Sequence, residues 1–416
     1  MRKIVFILLA VSLALPLCAA GHKSNDAGRI STSNDVVLGA SRTTEYIHLL
    51  QGKRVALLSN HSGIIPDGKG GWKHVLDHLI ENGVQMTAIF SPEHGFRGTA
   101  AEGELVASST DEKTGLPICS TYDGKGVHPS AERMALFDVL VVDIQDVGLR
   151  FSTYHITMIK MMEACAEYGK QVVVMDRPNP NGHYVDGPIL DMQYKSGVGW
   201  VPIPVVYGMT MGELALMVND KGWLPEGRKV DLTVIPCLNY THQTAYRVPI
   251  NTSPNLRCLA AIYMYPSICL FEATPLSLGR GTEIPFLCYG HPLYRPDKQR
   301  VKQLEQLCGM KIPTIDFHPT ASTQKGRDCT GLDLSGIAET RAHDMGIDLN
   351  FIIDAYQAMS LDDHFFRPFF ERLIGVGYVR KMIKQGKTND EIRAMWTKDV
   401  EQFLIDRRPY LLYEEH

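Results

Sequence analysis

Short apolar runs that alternate with helix-forming segments dominate the first half of the chain and constrain its fold most strongly. The run Phe137-Asp-Val-Leu-Val-Val142 is almost entirely apolar, as expected of a parallel strand that is buried on both faces. Five such runs predict strands at 54–59, 86–90, 137–142, 171–175 and 231–235, with helices between them at 72–82, 152–168 and 210–221. This alternation predicts an α/β fold, a Rossmann-like doubly wound parallel sheet whose ligands bind beyond the carboxyl ends of the strands.

The character of the sequence changes after about residue 255, where segments rich in proline and glycine replace the regular alternation. Late helices are predicted near 346–360 and 389–406, and Thr388-Asn-Asp-Glu391 has the spacing of a capping box, as does Thr210-Met-Gly-Glu213. We therefore predict a Rossmann-like catalytic domain over residues 43–255 and a smaller α+β C-terminal domain over residues 256–416.

The first twenty residues have the pattern of a secretory signal peptide. Arg2 and Lys3 precede an apolar run that is too short to span a bilayer, and no later stretch is long enough to form a transmembrane segment. Cleavage after Ala20 is favoured over a lipid anchor on Cys18, because Leu17 is bulky where a lipoprotein signal has a small residue. We expect an exported protein, periplasmic or secreted, with residues 1–20 removed and a flexible polar lead-in over residues 21–42.

The overall charge and the cysteines argue against several classes of function. The formal net charge of the 416 residues is −4, whereas a nucleic-acid partner would require a basic face. Eight of the nine cysteines follow the signal, and none forms a CxxC pair of the kind found in zinc ribbons and redox motifs. Most lie among apolar neighbours and are expected to be small core residues, although disulfides are open to an exported protein.

Polar residues follow four of the predicted strands. In chain order they are Asn60; Glu93 and His94; Asp143, Gln145, Asp146, Arg150 and Tyr154; and Asp176, Arg177 and Asn179. Because parallel strands end at one edge of a sheet, we expect these side chains to share a rim. Structural alternatives exist for most of them, such as an Asx turn for Asn60 or an ion pair for Arg177. Glu93 is harder to explain structurally, since it lies in the turn Ser91-Pro-Glu-His-Gly95.

A loop of the predicted second domain carries further charged groups. Its candidate residues are Glu272, Arg280, Thr282 and Glu283, and glycines flank the arginine. Glycines let a backbone approach a ligand closely, and ligand sites are common between domains. The loop is therefore expected either to close over the rim or to be a solvated turn.

No cofactor is expected from the sequence. The first strand is followed by Asn60-His-Ser-Gly-Ile64, which matches neither the GxGxxG pattern nor the Walker pattern of nucleotide sites. A metal site is not favoured, because no HExxH or other compact ligand spacing occurs. A metal-dependent alternative would have to gather His61, Glu93, His94 and Asp143 from separate loops.

Four motifs resemble those of the NamZ-type exo-β-N-acetylmuramidases, a family long known only as a domain of unknown function. They are Ser91-Pro-Glu-His-Gly95, Asp143-Ile-Gln-Asp-Val-Gly-Leu-Arg-Phe-Ser-Thr-Tyr154, Asp176-Arg-Pro-Asn-Pro180 and Ser277-Leu-Gly-Arg-Gly-Thr-Glu283. The resemblance extends over about residues 45–416. It implies a Rossmann-like domain and a smaller C-terminal domain with the site between them, and release of N-acetylmuramic acid from non-reducing ends of peptidoglycan fragments without a cofactor. It also implies that Glu93 is the catalytic acid.

Glycoside hydrolysis requires proton delivery to the leaving oxygen and stabilisation of charge at the anomeric carbon. We expect Glu93 to deliver the proton, with His94 or Tyr154 orienting it. The second role is open among Asp143, Asp146, Glu272, Glu283 and the acetamido oxygen of the substrate itself. The lactyl carboxylate of muramic acid calls for a cation, for which Arg150, Arg177 and Arg280 are the candidates.

Two other functional classes fit the same sequence features. One is a metal-dependent cell-wall amidase or esterase that uses the four potential ligands named above. The other is a muropeptide-binding protein without catalytic activity, which would keep the crevice but would not need Glu93 as an acid.

Overall fold

A seven-stranded, mostly parallel sheet organises the N-terminal part of the chain. The computed structural model describes residues 36–97, 107–121, 129–359 and 361–415. The strands of this part are β1 (Arg54–Ser59), β2 (Ile64–Pro66), β3 (Trp72–His74), β4 (Gln85–Ser91), β5 (Ser109–Thr110), β6 (Pro117–Ser120), β7 (Val139–Asp143), β8 (Gln171–Met175) and β9 (Asp231–Ile235). The main sheet has the order β5-β6-β4-β1-β7-β8-β9, and only the pairing of β5 with β6 is antiparallel among its described strands. This confirms the predicted α/β class.

Helices cover both faces of this sheet, as a doubly wound fold requires. The N-terminal helices are α1 (Thr43–Leu50), α2 (Val75–Glu81), α3 (Ala131–Met134), α4 (Thr153–Glu167) and α5 (Met211–Asp220). Side chains of α1 and α2 pack in one apolar core with the residues that the central strands direct to that face of the sheet. Side chains of α4 and α5 pack in a second core on the other face. All five residues of β7 are buried, as its apolar sequence predicts.

The C-terminal part combines helices with a small antiparallel sheet. Its strands are β10 (Cys288–His291), β11 (Thr314–Phe317) and β12 (Cys329–Asp333), in the order β10-β12-β11. Its helices are α6 (Leu259–Ile268), α7 (Lys298–Cys308), α8 (Glu339–Met345), α9 (Asn350–Met359), α10 (Phe370–Ile374), α11 (Tyr378–Lys384), α12 (Asn389–Arg393) and α13 (Thr397–Arg407). Short 3-10 turns occur at Gly39–Ser41, Met192–Tyr194, Pro225–Gly227, Cys269–Ala273, Asp362–His364 and Arg408–Tyr410.

The two parts share core residues. Val147, Leu149 and Phe151, which follow β7, pack in the apolar core of the C-terminal part. In the opposite direction, Phe403 and Tyr413 near the chain end pack against the N-terminal part. Val147 and Phe151 also line the cavity described below.

Several predicted elements differ in their bounds. The predicted helix over 72–82 begins only at Val75, because Trp72–His74 pairs as a strand with Ile64–Pro66 and His74 caps the helix by accepting a hydrogen bond from Leu76 N. The helix predicted over 389–406 is two helices, α12 and α13, separated by Ala394–Trp396. Both predicted capping boxes are confirmed.

The beginning of the packed chain also differs from the prediction. Within the predicted flexible lead-in, Val37 forms a bridge with Leu238, and Leu38 and Ala40 are buried. The packed structure therefore starts before residue 43. The predicted signal peptide over 1–20, the alternative anchor at Cys18 and residues 21–35 lie outside the described residues.

The cysteines and the apolar helices follow the expectations from the sequence. The eight cysteines from Cys119 to Cys329 form no disulfide with one another, and seven of them are buried. None of the helices in the described ranges is both long enough and apolar enough to cross a bilayer.

Candidate active site

A cavity of about 660 Å³ lies between the N-terminal sheet and the C-terminal part. Its walls include Glu93 and His94 after β4, one face of α4, the segment Ser196–Val198, and side chains of the C-terminal part such as Tyr265, Glu272 and Arg280. Cavities of 300–1,000 Å³ are typical of small-molecule sites. The position beyond the carboxyl ends of the strands is the one expected for a doubly wound sheet.

The turn after β4 projects Glu93 into this cavity. His94 and Gly95 both have positive φ angles, of 69° and 75°, and Gly95 N donates to Pro92 O at 3.0 Å. A left-handed conformation costs a residue other than glycine about 1–2 kcal/mol, so the packing around the turn must hold His94 in place. Glu93 is only 8% exposed, and its Oε2 accepts a hydrogen bond of 2.6 Å from Thr153 Oγ1.

Tyr154 lies beside Glu93 on the first turn of α4 and lines the same cavity. Its hydroxyl donates to the backbone oxygen of Thr252 at 2.6 Å. Burial, followed by the charges of Glu93 and Asp146, raises the pKa of Tyr154 well above its usual range. The phenol therefore stays protonated and holds the Thr252 segment against the cavity wall.

Glu272 and Arg280 form an ion pair in the opposite wall. Arg280 Nε lies 3.2 Å from Glu272 Oε1, and its guanidinium carbon lies 4.9 Å from the centre of the Phe286 ring. The other candidates of this loop do not reach the cavity. Thr282 Oγ1 donates to Gly279 O at 2.6 Å, and the side chain of Glu283 is 97% exposed, 3.6 Å from Arg257.

Asp143 and Arg177 form a buried ion pair below the rim rather than a part of the cavity wall. Arg177 Nε and Nη2 lie 2.6 and 2.8 Å from the two carboxylate oxygens of Asp143, and Nη2 also donates to Ile64 O. This bidentate pair occupies both side chains. Neither side chain lines the cavity, and the expected roles of Asp143 in catalysis and of Arg177 in substrate binding stay predictions.

Asp146 and Gln145 also turn away from the cavity. Asp146 accepts hydrogen bonds from Ser152 Oγ at 2.5 Å and Tyr207 Oη at 2.8 Å, and His155 Nδ1 lies 3.5 Å from it. Gln145 Nε2 donates to backbone oxygens of Asp146 and Pro178. These bonds position the start of α4 behind the cavity wall, and the expected contact of both residues with substrate stays a prediction.

Asn60, Asp176 and Asn179 stabilise loops and do not line this cavity, and their expected contact with substrate stays a prediction. Asn60 Oδ1 accepts from Ser62 N and Oγ, which is the Asx turn foreseen as its alternative. Asp176 accepts from Thr210 Oγ1 and Tyr413 Oη, both at 2.6 Å, and burial raises its pKa to about 6. Asn179 packs against Gly148, where a β carbon would lie 2.1 Å from Asn179 Oδ1.

Arg150 is fully buried and joins the two parts of the molecule. Its Nη1 donates to the backbone oxygens of Pro188 and Ile203 at 2.7 and 2.9 Å, and its Nη2 donates to Leu373 O at 3.0 Å. Burial without a carboxylate partner lowers the pKa of Arg150 to about 9. Its guanidinium is therefore bonded to backbone carbonyls, and its expected role as a carboxylate-binding cation stays a prediction.

The cavity also contains residues that the sequence analysis missed. Thr153, Thr157 and Lys160 line it from one face of α4, and Arg372 lines it from α10. The spacing i, i+4, i+7 of the three α4 residues was a usable signal, because it places them on one side of a helix whose other side is apolar.

The four residues of the metal-dependent alternative are not assembled into a ligand set. His61 Nε2 is bonded to Asn251 O at 2.7 Å, and Asp143 is paired with Arg177. Within the described ranges, no group of three or more histidine, cysteine, aspartate or glutamate side chains is placed to hold a metal ion. The geometry of these residues therefore gives no support to metal-dependent chemistry at this turn.

Comparisons with known proteins agree with the motifs and with the architecture. Family models of exo-β-N-acetylmuramidase NamZ match residues 55–260 (N-terminal model) and 263–413 (C-terminal model). The peptidoglycan β-N-acetylmuramidase NamZ of Bacillus subtilis (strain 168) is 34% identical over 428 residues, which cover 99% of this chain and 100% of that protein.

Solved structures give the same result. Two crystal structures of DUF1343 family proteins from Bacteroides fragilis NCTC 9343 superpose with TM-scores of 0.81 and 0.79, at 51% and 29% sequence identity. The matches cover 92% and 93% of this chain and 100% of each of those chains. This chain therefore belongs to the NamZ family of exo-β-N-acetylmuramidases and is a glycoside hydrolase of that family.

Proposed function

We propose that this protein releases N-acetylmuramic acid from the non-reducing ends of peptidoglycan fragments, with Glu93 as the general acid. The observation that carries the proposal is the position of Glu93, which is shielded from water, held by Thr153 and directed into a 660 Å³ cavity. The name of the Bacillus subtilis relative, a peptidoglycan β-N-acetylmuramidase, supports the choice of substrate.

In the proposed reaction, the carboxyl group of Glu93 gives its proton to the glycosidic oxygen as the bond from that oxygen to the anomeric carbon breaks. The leaving sugar departs as an alcohol, and positive charge develops on the anomeric carbon. Water then adds to that carbon and returns a proton to Glu93, so the net change is hydrolysis.

The group that stabilises the anomeric carbon is drawn from two candidates. Glu272 is the other carboxylate among the described residues of the cavity wall, and Arg280 holds it by an ion pair. The second candidate is the acetamido oxygen of the substrate, as in substrate-assisted glycosidases. Asp143 and Asp146 are bound elsewhere, and Glu283 faces solvent.

The proposal is tested by comparing the wild type with the Glu93→Gln variant on a disaccharide of N-acetylmuramic acid β-linked to N-acetylglucosamine. We expect the wild type to release free N-acetylmuramic acid and Glu93→Gln to lose about 10²–10⁴-fold in kcat while still binding the sugar, because general acid catalysis contributes about that factor. Glu283→Gln is the matched control and should retain full activity, since its side chain is exposed to solvent. If Glu93→Gln keeps nearly the full wild-type activity, Glu93 is not the general acid. If the wild type binds the disaccharide but does not hydrolyse it, the protein is a muropeptide-binding protein instead.

We also propose that the enzyme works outside the cytoplasm, in the periplasm or the surrounding medium. The charged start, apolar run and small residues of positions 1–20 support this. Sequencing the amino terminus of protein secreted or exported by the cell should give Gly21. A mature protein that still begins at Met1 would contradict the proposal.

A further inference from the structure

One wall of the cavity contains a buried cation that the reaction described above does not use. Lys160 lies on α4, is only 8% exposed and lines the cavity. Its Nζ lies 4.3 Å from the centre of the Trp200 ring. Across the residues that the structure describes, this ammonium group forms no hydrogen bond and no ion pair with a carboxylate. A buried charge without such a partner is costly, which suggests that a ligand supplies the missing anion.

The other buried cations near the cavity are already neutralised or bonded. Arg280 is paired with Glu272, Arg177 is paired with Asp143, and Arg150 is bonded to three backbone carbonyls. Glu163, which lies one turn beyond Lys160 on α4, accepts a hydrogen bond of 2.8 Å from Trp200 Nε1. This bond orients the indole ring on which the Lys160 ammonium rests.

The register of α4 sets the distance between Lys160 and Glu93. Thr153 donates a hydrogen bond to Glu93, and Lys160 lies seven residues later on the same face of α4. Seven residues correspond to a rise of about 10 Å along the helix axis. Long side chains on a helix lean back towards its amino end, which favours a position of the ammonium group on the Glu93 side of its own backbone.

We propose that Lys160 binds the carboxylate of the lactyl ether and so makes the enzyme specific for muramyl residues. The proposal rests on the proposed function, since it assigns a second contact to the same sugar. The lactyl carboxylate distinguishes muramic acid from glucosamine, and an ammonium group without a carboxylate partner is suited to recognise it. The exposed Lys195, whose Nζ lies 3.9 Å from the Trp200 ring centre, adds positive potential at this end of the cavity.

The test uses two chromogenic substrates, an N-acetyl-β-muramide and the same compound with its lactyl carboxylate converted to the primary amide. The wild type should prefer the acid, and Lys160→Met should lose at least about 30-fold in kcat/KM on the acid but little on the amide, because truncating one partner of a buried charge pair costs that much. Lys160→Arg should keep most of the preference. Lys170→Met is the matched control, since Lys170 follows the carboxyl end of α4 and does not line the cavity. Its Nζ lies 5.8 Å from the centre of the Phe137 ring.

The pH dependence of the wild type gives a second readout that requires no variant. Burial lowers the pKa of Lys160 to about 8, the nearby charge of Lys195 also lowers it, and that of Glu163 raises it. Above this pH the free enzyme loses the ammonium charge, so kcat/KM should fall for the acid and not for the amide. Lys160→Arg should remove this fall, because a guanidinium stays charged.

The outcomes separate this inference from the proposed function. If the wild type hydrolyses the muramide but does not distinguish the acid from the amide, or if folded Lys160→Met keeps the wild-type preference, the role of Lys160 is wrong. If the wild type hydrolyses neither compound nor the disaccharide used above, the proposed function fails instead.

Discussion

Glu93 depends on its neighbours for its position, and Thr153 bonds to its carboxyl group directly. The Thr153 hydroxyl donates to Glu93 Oε2 at 2.6 Å from the first residue of α4. Pro92 and the left-handed His94 determine the direction of the backbone at the turn. Thr153 is therefore a positioning residue, which acts on the substrate only through Glu93.

Replacing Thr153 with valine should separate positioning from substrate binding. Loss of a hydrogen bond to an ionisable group is worth about 1.5–3 kcal/mol, so Thr153→Val should lower kcat roughly 10- to 100-fold while KM stays near the wild-type value. Steady-state kinetics measure both parameters. Thr153→Ser, which keeps the hydroxyl, should restore most of kcat, and a rise in KM with unchanged kcat would show that Thr153 binds substrate instead.

At the level of single residues, the sequence predicts part of the site. The placement of Glu93 and His94 follows from their turn at a strand end, and Glu272 and Arg280 also line the cavity as expected. The sequence does not predict the structural contacts of Asp143, Arg177 and Asp176. Their ion pair and hydrogen bonds join residues more than 30 positions apart, so the sequence alone does not distinguish them from substrate-binding residues. Lys160 was missed because a lysine on a helix is usually a solvated residue.

At the level of elements, the strands were the most predictable part. The bounds of β1, β8 and β9 agree with the apolar runs that predict them. For β1 and β8 the reason is burial, since a strand buried on both faces has few polar residues. The bounds of α2 and α13 were less predictable. Trp72–His74 pairs with a strand eight residues earlier, and nothing in helical periodicity foretells that pairing.

Arg150 joins elements that are far apart in the sequence, and its replacement should therefore affect stability. Arg150→Ala removes three hydrogen bonds to backbone carbonyl oxygens, of which Ile203 O keeps a second donor in Leu190 N, and we expect the free energy of unfolding to fall by at least about 3 kcal/mol. Arg150→Lys should recover less than half of the lost unfolding free energy, because an ammonium group cannot present the fixed, planar set of donors with which the guanidinium reaches these carbonyl oxygens. Denaturant unfolding measures the change.

The control for this measurement is Arg257→Ala, since Arg257 is 42% exposed and its contact with Glu283 lies at the surface. Its replacement should change the unfolding free energy by less than about 0.5 kcal/mol. If Arg150→Ala is as stable as the wild type but binds N-acetylmuramic acid poorly, Arg150 is a substrate-binding residue after all.

At the level of the whole molecule, the two parts of the chain exchange segments, and one of these segments contributes Val147 and Phe151 to the cavity wall. Residues after β7 complete the C-terminal core, and the end of the chain returns to the N-terminal sheet, where Tyr413 bonds to Asp176 and Cys237 N. The sequence predicts an α/β part followed by a part of different character. It does not predict the exchange, since Tyr413 and Asp176 are 237 residues apart and their contact forms only in the folded chain.

The central claim is that Glu93 protonates the glycosidic oxygen of a muramyl residue bound in the 660 Å³ cavity. A crystal structure of the Glu93→Gln variant with the muramyl disaccharide measures the distance that decides it. The account predicts that the side chain at position 93 lies within about 3.2 Å of the glycosidic oxygen, with the muramyl ring in the cavity. A disaccharide bound elsewhere, or a glycosidic oxygen out of hydrogen-bond reach of that side chain, would contradict it.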